Sequence, residues 1–169
     1  MNVRETLKIN QNGHLEIGGC DAVELAKKFG TPLYVMDEKY IRDMCRVYRD
    51  TIEKKYGGNG LVLYASKAFS CMAVYKIAQQ ENIGVDVVSG GELYTAVKAG
   101  FPADKIYMHG NNKLRSELEY ALECGVGTIV VDAYSELDML DGLAEKCGKK
   151  QDILLRVNPG VEAHTHHFI

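Results

Sequence analysis

The sequence predicts an α/β protein: the first part of a parallel (β/α)8 TIM barrel, about five βα units, preceded by a short N-terminal β segment. Three observations carry this expectation. Five short β-rich runs, LVLYA, VDVVS, KIYMH, GTIVVD and DILLRVN, begin at Leu61, Val85, Lys105, Gly127 and Asp152. Helical patterns separate them with no hairpin signal, so successive strands are expected to be parallel and joined by right-handed crossovers. No G-x-G-x-x-G follows the first run, where an open doubly wound sheet usually carries its phosphate fingerprint. A whole barrel takes about 250 residues. The 169 residues here supply five strands and stop within HTHHFI, so the expectation is a barrel truncated after strand five.

The elements follow in order. In LKINQNGHLEIGG, Leu7 and Ile9 and then Leu15 and Ile17 alternate around Asn12-Gly13, which reads as a hairpin or two short strands. DAVELAKKFG offers Asp21 as N-cap, Leu25 and Phe29 one turn apart, and Gly30 as the stop. PLYVMD reads as a short strand. From Asp37 to Tyr56, Tyr40, Ile41, Met44, Val47, Tyr48 and Ile52 recur at helical spacing until Gly57-Gly58. Between the five β-runs lie the helical patterns CMAVYKIAQQEN, GGELYTAVKAG, LRSELEYALECG and SELDMLDGLAEKCG. Ser89 and Ser135 stand near their N-caps, and Gly100, Gly125 and Gly148 at their ends. The expected division is 1–30, an N-terminal β segment and helix, and 31–169, the first part of the barrel.

Composition narrows the function. Apolar residues make up 46% and charged residues 25%, the balance of a globular chain. A net charge of −3 with both signs interleaved provides no basic stripe for nucleic acid. No apolar run approaches a membrane span, and MNVRETLKIN lacks the apolar core of a secretory signal. Five cysteines without C-x-x-C read as reduced thiols, which makes the cytoplasm the expected address.

Barrel chemistry sits at the C-terminal ends of strands and in the loops that follow. Lys67, after the first run, is there. It marks either the point where the chain meets water or an amine whose apolar flanks Tyr64, Ala65 and Ala68 desolvate it into a nucleophile. Asp86, inside VDVV, is either an ordinary strand-end aspartate or a carboxylate that needs a partner. Arg156 in LLRVNPG, if buried, requires an anion, because guanidinium does not discharge. SGGEL offers a helix N-terminus suited to an anion or a tight turn. His109, Asn111 and Asn112 either line the barrel mouth or make a turn. His164 and His166 stand two apart without the further ligands zinc requires, so no metal site is expected.

Together these motifs resemble the N-terminal part of the diaminopimelate decarboxylase family, within the alanine-racemase-like group of pyridoxal-phosphate (PLP) barrels. The resemblance runs from TPLYVMDE to the last residue and rests on YASKAF, GVDVVSGGELYTAVKAGF, HGNNK and RVNPGVEAHTHHFI. It implies decarboxylation of meso-2,6-diaminopimelate to L-lysine by the full-length protein, with PLP as cofactor and a homodimer as the assembly. It makes Lys67 the residue linked to PLP and Asp86 a carboxylate of the cofactor pocket. It places Arg156 near the PLP ring, with His109 a further cofactor-binding candidate. The hairpin before residue 20 becomes the N-terminal contribution to a β-domain. The remaining site groups of the family would follow Ile169, so the 169-residue chain alone is expected to be inactive. Competing readings are another basic amino-acid decarboxylase of the group, a non-catalytic PLP-carrier barrel, and an aldolase barrel that uses a lysine without PLP. The hairpin counts against the carrier, which lacks a β-domain.

Overall fold

Alternation of Leu7 and Ile9 with Leu15 and Ile17 produces the expected hairpin. In the computed structural model, which describes residues 6–160, β1 (Leu7–Ile9) pairs antiparallel with β2 (Leu15–Ile17). Leu7 lies opposite Ile17 and Ile9 opposite Leu15, so the four apolar side chains share one face. Asn10 builds the turn. Its Oδ1 accepts from the Asn12 and His14 N–H groups at 2.9 and 3.0 Å, and Gly13 takes a φ of +73°. A third strand, β3 (Cys20–Asp21), pairs antiparallel with β2. Asp21 then caps α1 (Ala22–Phe29) through the Val23 and Glu24 N–H groups, and Gly30 ends the helix. Asp37 caps α2 (Glu38–Tyr56), which stops at Gly57 in the left-handed conformation.

PLYVMD does not form a strand: residues 32–37 run without ladder partners between α1 and α2. Its β-type composition describes a segment that fits a sheet, but a strand exists only where a neighbour takes up its hydrogen bonds.

The chain divides into two compact units, one up to Val62 and one from Leu63. The second contains β4 (Leu63–Ala65), α3 (Met72–Gln80), β5 (Gly84–Val87), α4 (Gly90–Lys98), β6 (Ile106–Met108), α5 (Arg115–Cys124), β7 (Thr128–Val131), α6 (Tyr134–Cys147) and β8 (Asp152–Leu155). All five strands are parallel, in the order β4-β5-β6-β7-β8. A doubly wound sheet reverses its strand order and carries helices on both faces. This sheet does neither. Val85, Val87, Ile106, Met108 and Ile129 alternate onto one face and are fully buried, together with Leu93, Leu118 and Leu122 of the helices. Facing the other way, the register row Ala65–Asp86–Tyr107–Thr128–Asp152 is half-buried to exposed. Sequential strand order with one covered face is a partial barrel, and its bare face is the barrel interior.

The helix ends follow the sequence with one exception. Ser89 caps α4 by accepting from the Glu92 N–H. Ser135 caps nothing: Ala133 occupies the N-cap of α6 in extended conformation, which puts Ser135 inside the first turn. Among the described residues, no helix is long and apolar enough to cross a membrane.

Candidate functional site

Every strand of the parallel sheet ends in the same direction, so the loops after them form one rim. Lys67 stands on that rim, in the 3₁₀ turn Ser66–Ala68 directly after β4. The turn is fixed from both sides. The Tyr64 hydroxyl donates to the Phe69 carbonyl at 3.0 Å. The fully buried Ser66 Oγ lies 2.6 Å from both the Asp86 carbonyl oxygen and Glu92 Oε2, sharing its single proton between them. Lys67 itself is exposed, as are Ala65 and Ala68, so the desolvation expected from its flanks does not occur in this chain. The flanks lie on the open barrel mouth rather than under a packed layer.

Asp86 sits in β5 and, by register, on the bare face. Its Oδ1 is buried without a hydrogen-bond partner among the described residues. Burial pushes its carboxyl above the usual carboxylate range. The positive field of His109 opposes this, the charge of Glu92 adds to it, and Lys67 opposes it again. The structure thus brings both Lys67 and His109 within electrostatic reach of Asp86.

His109 follows β6, and its N–H continues the ladder to the Val87 carbonyl at 2.8 Å. Arg156 does the same for β8, donating its N–H to the Val131 carbonyl at 2.9 Å. Two residues beyond Tyr107 and Leu154 respectively, both fall on the bare-face register. The burial considered for Arg156 is not found. Its side chain is 53% exposed, and Nη1 donates to Asp132 Oδ1 at 2.9 Å. Asn111, Asp132 and Arg156 border an open depression of about 490 Å³ that also touches Val157, Asn158 and Pro159. The helix start at SGGEL is taken by an internal anion: Glu117 Oε1 accepts from the Gly90 N–H at 2.6 Å. His164 and His166 lie outside the described residues.

Sequence reasoning missed Asp132 and three glutamates. Glu92, Glu117 and Glu136 each stand in the first turn of successive helices α4, α5 and α6. Each accepts from a backbone N–H at its own helix start: Val88 at 2.8 Å, Leu114 at 2.8 Å and Asp132 at 3.4 Å. Each also reaches back to the preceding βα unit, to Ser66, to the Gly90 N–H and to Lys113 respectively. A Glu-Leu pair repeated in GGEL, RSEL and YSEL is the signal that marks them.

The residues present suit a cofactor that presents an aldehyde, an aromatic ring and an anionic group. Lys67 offers an amine at the rim, the Asp86 oxygen lacks a partner, and Arg156 offers a guanidinium.

The fold is that of a partial barrel with an amine on its C-terminal rim, a carboxylate inside β5 on the bare face and a guanidinium just after β8. Residues 40–169 match the family described as "Pyridoxal-dependent decarboxylase, pyridoxal binding domain", and the chain belongs to it. It is 55% identical over 164 residues to the diaminopimelate decarboxylase of Bacillus methanolicus, covering 97% of this chain and 38% of that protein. To the diaminopimelate decarboxylase of Bacillus subtilis it is 53% identical, covering 97% and 37%. A crystal structure of diaminopimelate decarboxylase from M. jannaschii in co-complex with L-lysine superposes with a TM-score of 0.84 at 35% identity, covering 96% of this chain and 38% of that one. The chain therefore spans less than two-fifths of the length of these relatives.

Proposed function

We propose that the full-length protein carrying this chain decarboxylates meso-2,6-diaminopimelate to L-lysine and CO₂, and that this chain supplies the lysine to which PLP is linked. The observation that carries this reading is the 55% identity to a diaminopimelate decarboxylase across nearly the whole chain. The lysine complex of the M. jannaschii relative supports the same product. PLP, when bound, supplies a ring that draws off the electron pair left as the carboxylate departs.

The chain's own residues take separate parts in this scheme. Lys67 is the covalent anchor, held at the rim by the Ser66 contacts to Asp86 and Glu92. Asp86 contributes the carboxylate of the cofactor pocket, since its Oδ1 has no hydrogen-bond partner among the described residues. Arg156 lies beside the ring with Asp132 holding its guanidinium, and His109 lines the mouth next to Asp86. In this scheme 1–30 is the N-terminal share of a β-domain and 31–169 belongs to the barrel; the family match over 40–169 supports the second part, while the compact units divide later, after Val62. A homodimer and a cytoplasmic address complete the proposal; the thiols of Cys20, Cys45, Cys71, Cys124 and Cys147 are unbridged, as a reducing compartment keeps them.

Borohydride reduction of the full-length holoenzyme tests the anchor. The cofactor is expected on the peptide containing Lys67, and Lys67→Ala is expected to abolish both the absorbance near 420 nm and lysine formation. Labelling of another lysine, with Lys67→Ala still coloured and active, refutes the assignment.

A further inference from the structure

We propose that Lys113 and Glu136 are positioning residues that make the loop after β6 and the ends of β7 and β8 behave as one rigid piece of the rim. This rests on the functional reading above and concerns groups that reading leaves unused. Lys113 lies in HGNNK, but its side chain is only 1% exposed. Its Nζ stands 2.7 Å from Glu136 Oε1, a close ion pair whose angles do not make it a hydrogen bond, and it donates to the Gly110 carbonyl at 2.6 Å. Gly110, next to His109, has a φ of +119°, and a Cβ there would stand 3.3 Å from the Val88 carbonyl oxygen. This peptide is therefore confined to a backbone shape suited to glycine, with Lys113 fastening its carbonyl.

Glu136 carries the connection onward. Its Oε2 accepts from the Asp132 N–H, and Asp132 Oδ1 accepts from Arg156 Nη1. An unbroken path of polar contacts thus runs from the peptide beside His109 to the guanidinium of Arg156, across three consecutive strand ends.

Stability alone does not account for this pair. Two charges taken out of water lose hydration that their mutual attraction barely returns, and an apolar pair of similar volume serves a fold equally well. Other pairs run along single helices in solvent, as in Lys27–Glu24 and Arg115–Glu119, or join more exposed groups of neighbouring strands, as in Lys8–Glu16 and Arg156–Asp132. Lys113–Glu136 instead crosses between two βα units, directly beneath the candidate site. What it provides is a fixed distance between them.

The test uses the full-length holoenzyme and the double variant Lys113→Met/Glu136→Leu, which leaves no unpaired buried charge. The melting midpoint lost in Lys113→Met alone should return in the double variant. Its kcat should stay at least tenfold below the parent, with KM within threefold. Cofactor should still be trapped on Lys67, with an altered visible circular dichroism band. A smaller fall in kcat, or an unchanged band, overturns the proposal. Should the double variant not fold, Glu136→Asp keeps the charge and loses the reach; a fall of tenfold or more supports positioning, and anything less refutes it. If the parent forms no lysine from diaminopimelate, the functional reading fails by itself. The pair is then judged by amide exchange. Faster exchange at residues 109–114 and at Asp132, with global stability unchanged in the double variant, upholds it; parental protection overturns it.

Discussion

Residues 6–62 contain two amphipathic helices and a hairpin with its apolar side chains on one face, yet none of those residues is buried. Residues 63–160 contain helices of the same kind, and there Leu93, Leu118 and Ile129 lose all contact with solvent. The difference is the size of the layer that the helices meet. Helices α3 to α6 accompany a five-stranded parallel sheet, whereas α1 meets a three-stranded one on which Leu7, Ile9 and Leu15 remain exposed. Periodicity states which side of an element is ready for burial; only another element decides whether burial happens.

Core truncation breaks this comparison most strongly. Leu93→Ala or Ile129→Ala should cost about 2–5 kcal/mol, because each removes fully packed methyl groups and leaves a cavity. Tyr48→Ala, on the exposed face of α2, should stay within about 0.5 kcal/mol. Urea denaturation of the variants measures both, and equal losses at the two sites would erase the distinction.

Acid should separate the units next, with opposite signs. In the first, His14 beside Asp21, with Asn10 and the α1 N–H groups, holds the Asp21 carboxyl down to about 2. A carboxyl lowered on folding contributes stability above its unfolded value of 3.8 that is lost as pH falls toward about 2. Protection of the Val23 and Glu24 amides, relative to their intrinsic exchange at each pH, should therefore fall over that interval. Protection unchanged down to pH 2 would contradict it.

The smallest effect belongs to Asp86 in the second unit. Burial raises its carboxyl, so between the unfolded value of 3.8 and the elevated one the folded state keeps a proton that the unfolded state releases. Its contribution is complete below 3.8 and disappears as pH rises through the elevated value. Asp86→Asn should accordingly raise the denaturation midpoint slightly at pH 7 and leave it unchanged at pH 3. A midpoint lowered at pH 7 would mean that the carboxylate is satisfied after all.

Much of this architecture was legible because it is written locally. Asp21, Asp37 and Ser89 cap helices within three residues of themselves, and the five β-runs became five parallel strands. Lys67 and His109 fell at strand ends as expected. The failures share a cause, which is dependence on distant partners. PLYVMD has strand composition but no neighbour; Ser135 lost its cap to the backbone conformation of Ala133. Asp132 acquires meaning only through Arg156, and Lys113 only through Glu136. HGNNK was visible as a motif, yet nothing in its letters shows that its lysine points inward.

The first-turn glutamates of α4, α5 and α6 also bear on the order in which the chain can assemble. Glu92 and Glu117 reach groups only 26 and 27 residues earlier, in the unit just completed, never one still to be synthesised. Each link closes a short loop and depends on nothing downstream. As the polypeptide leaves the ribosome from its N-terminal end, each new helix can therefore lock its predecessor as soon as its own first turn has formed, so that the rim is set unit by unit in the direction of translation.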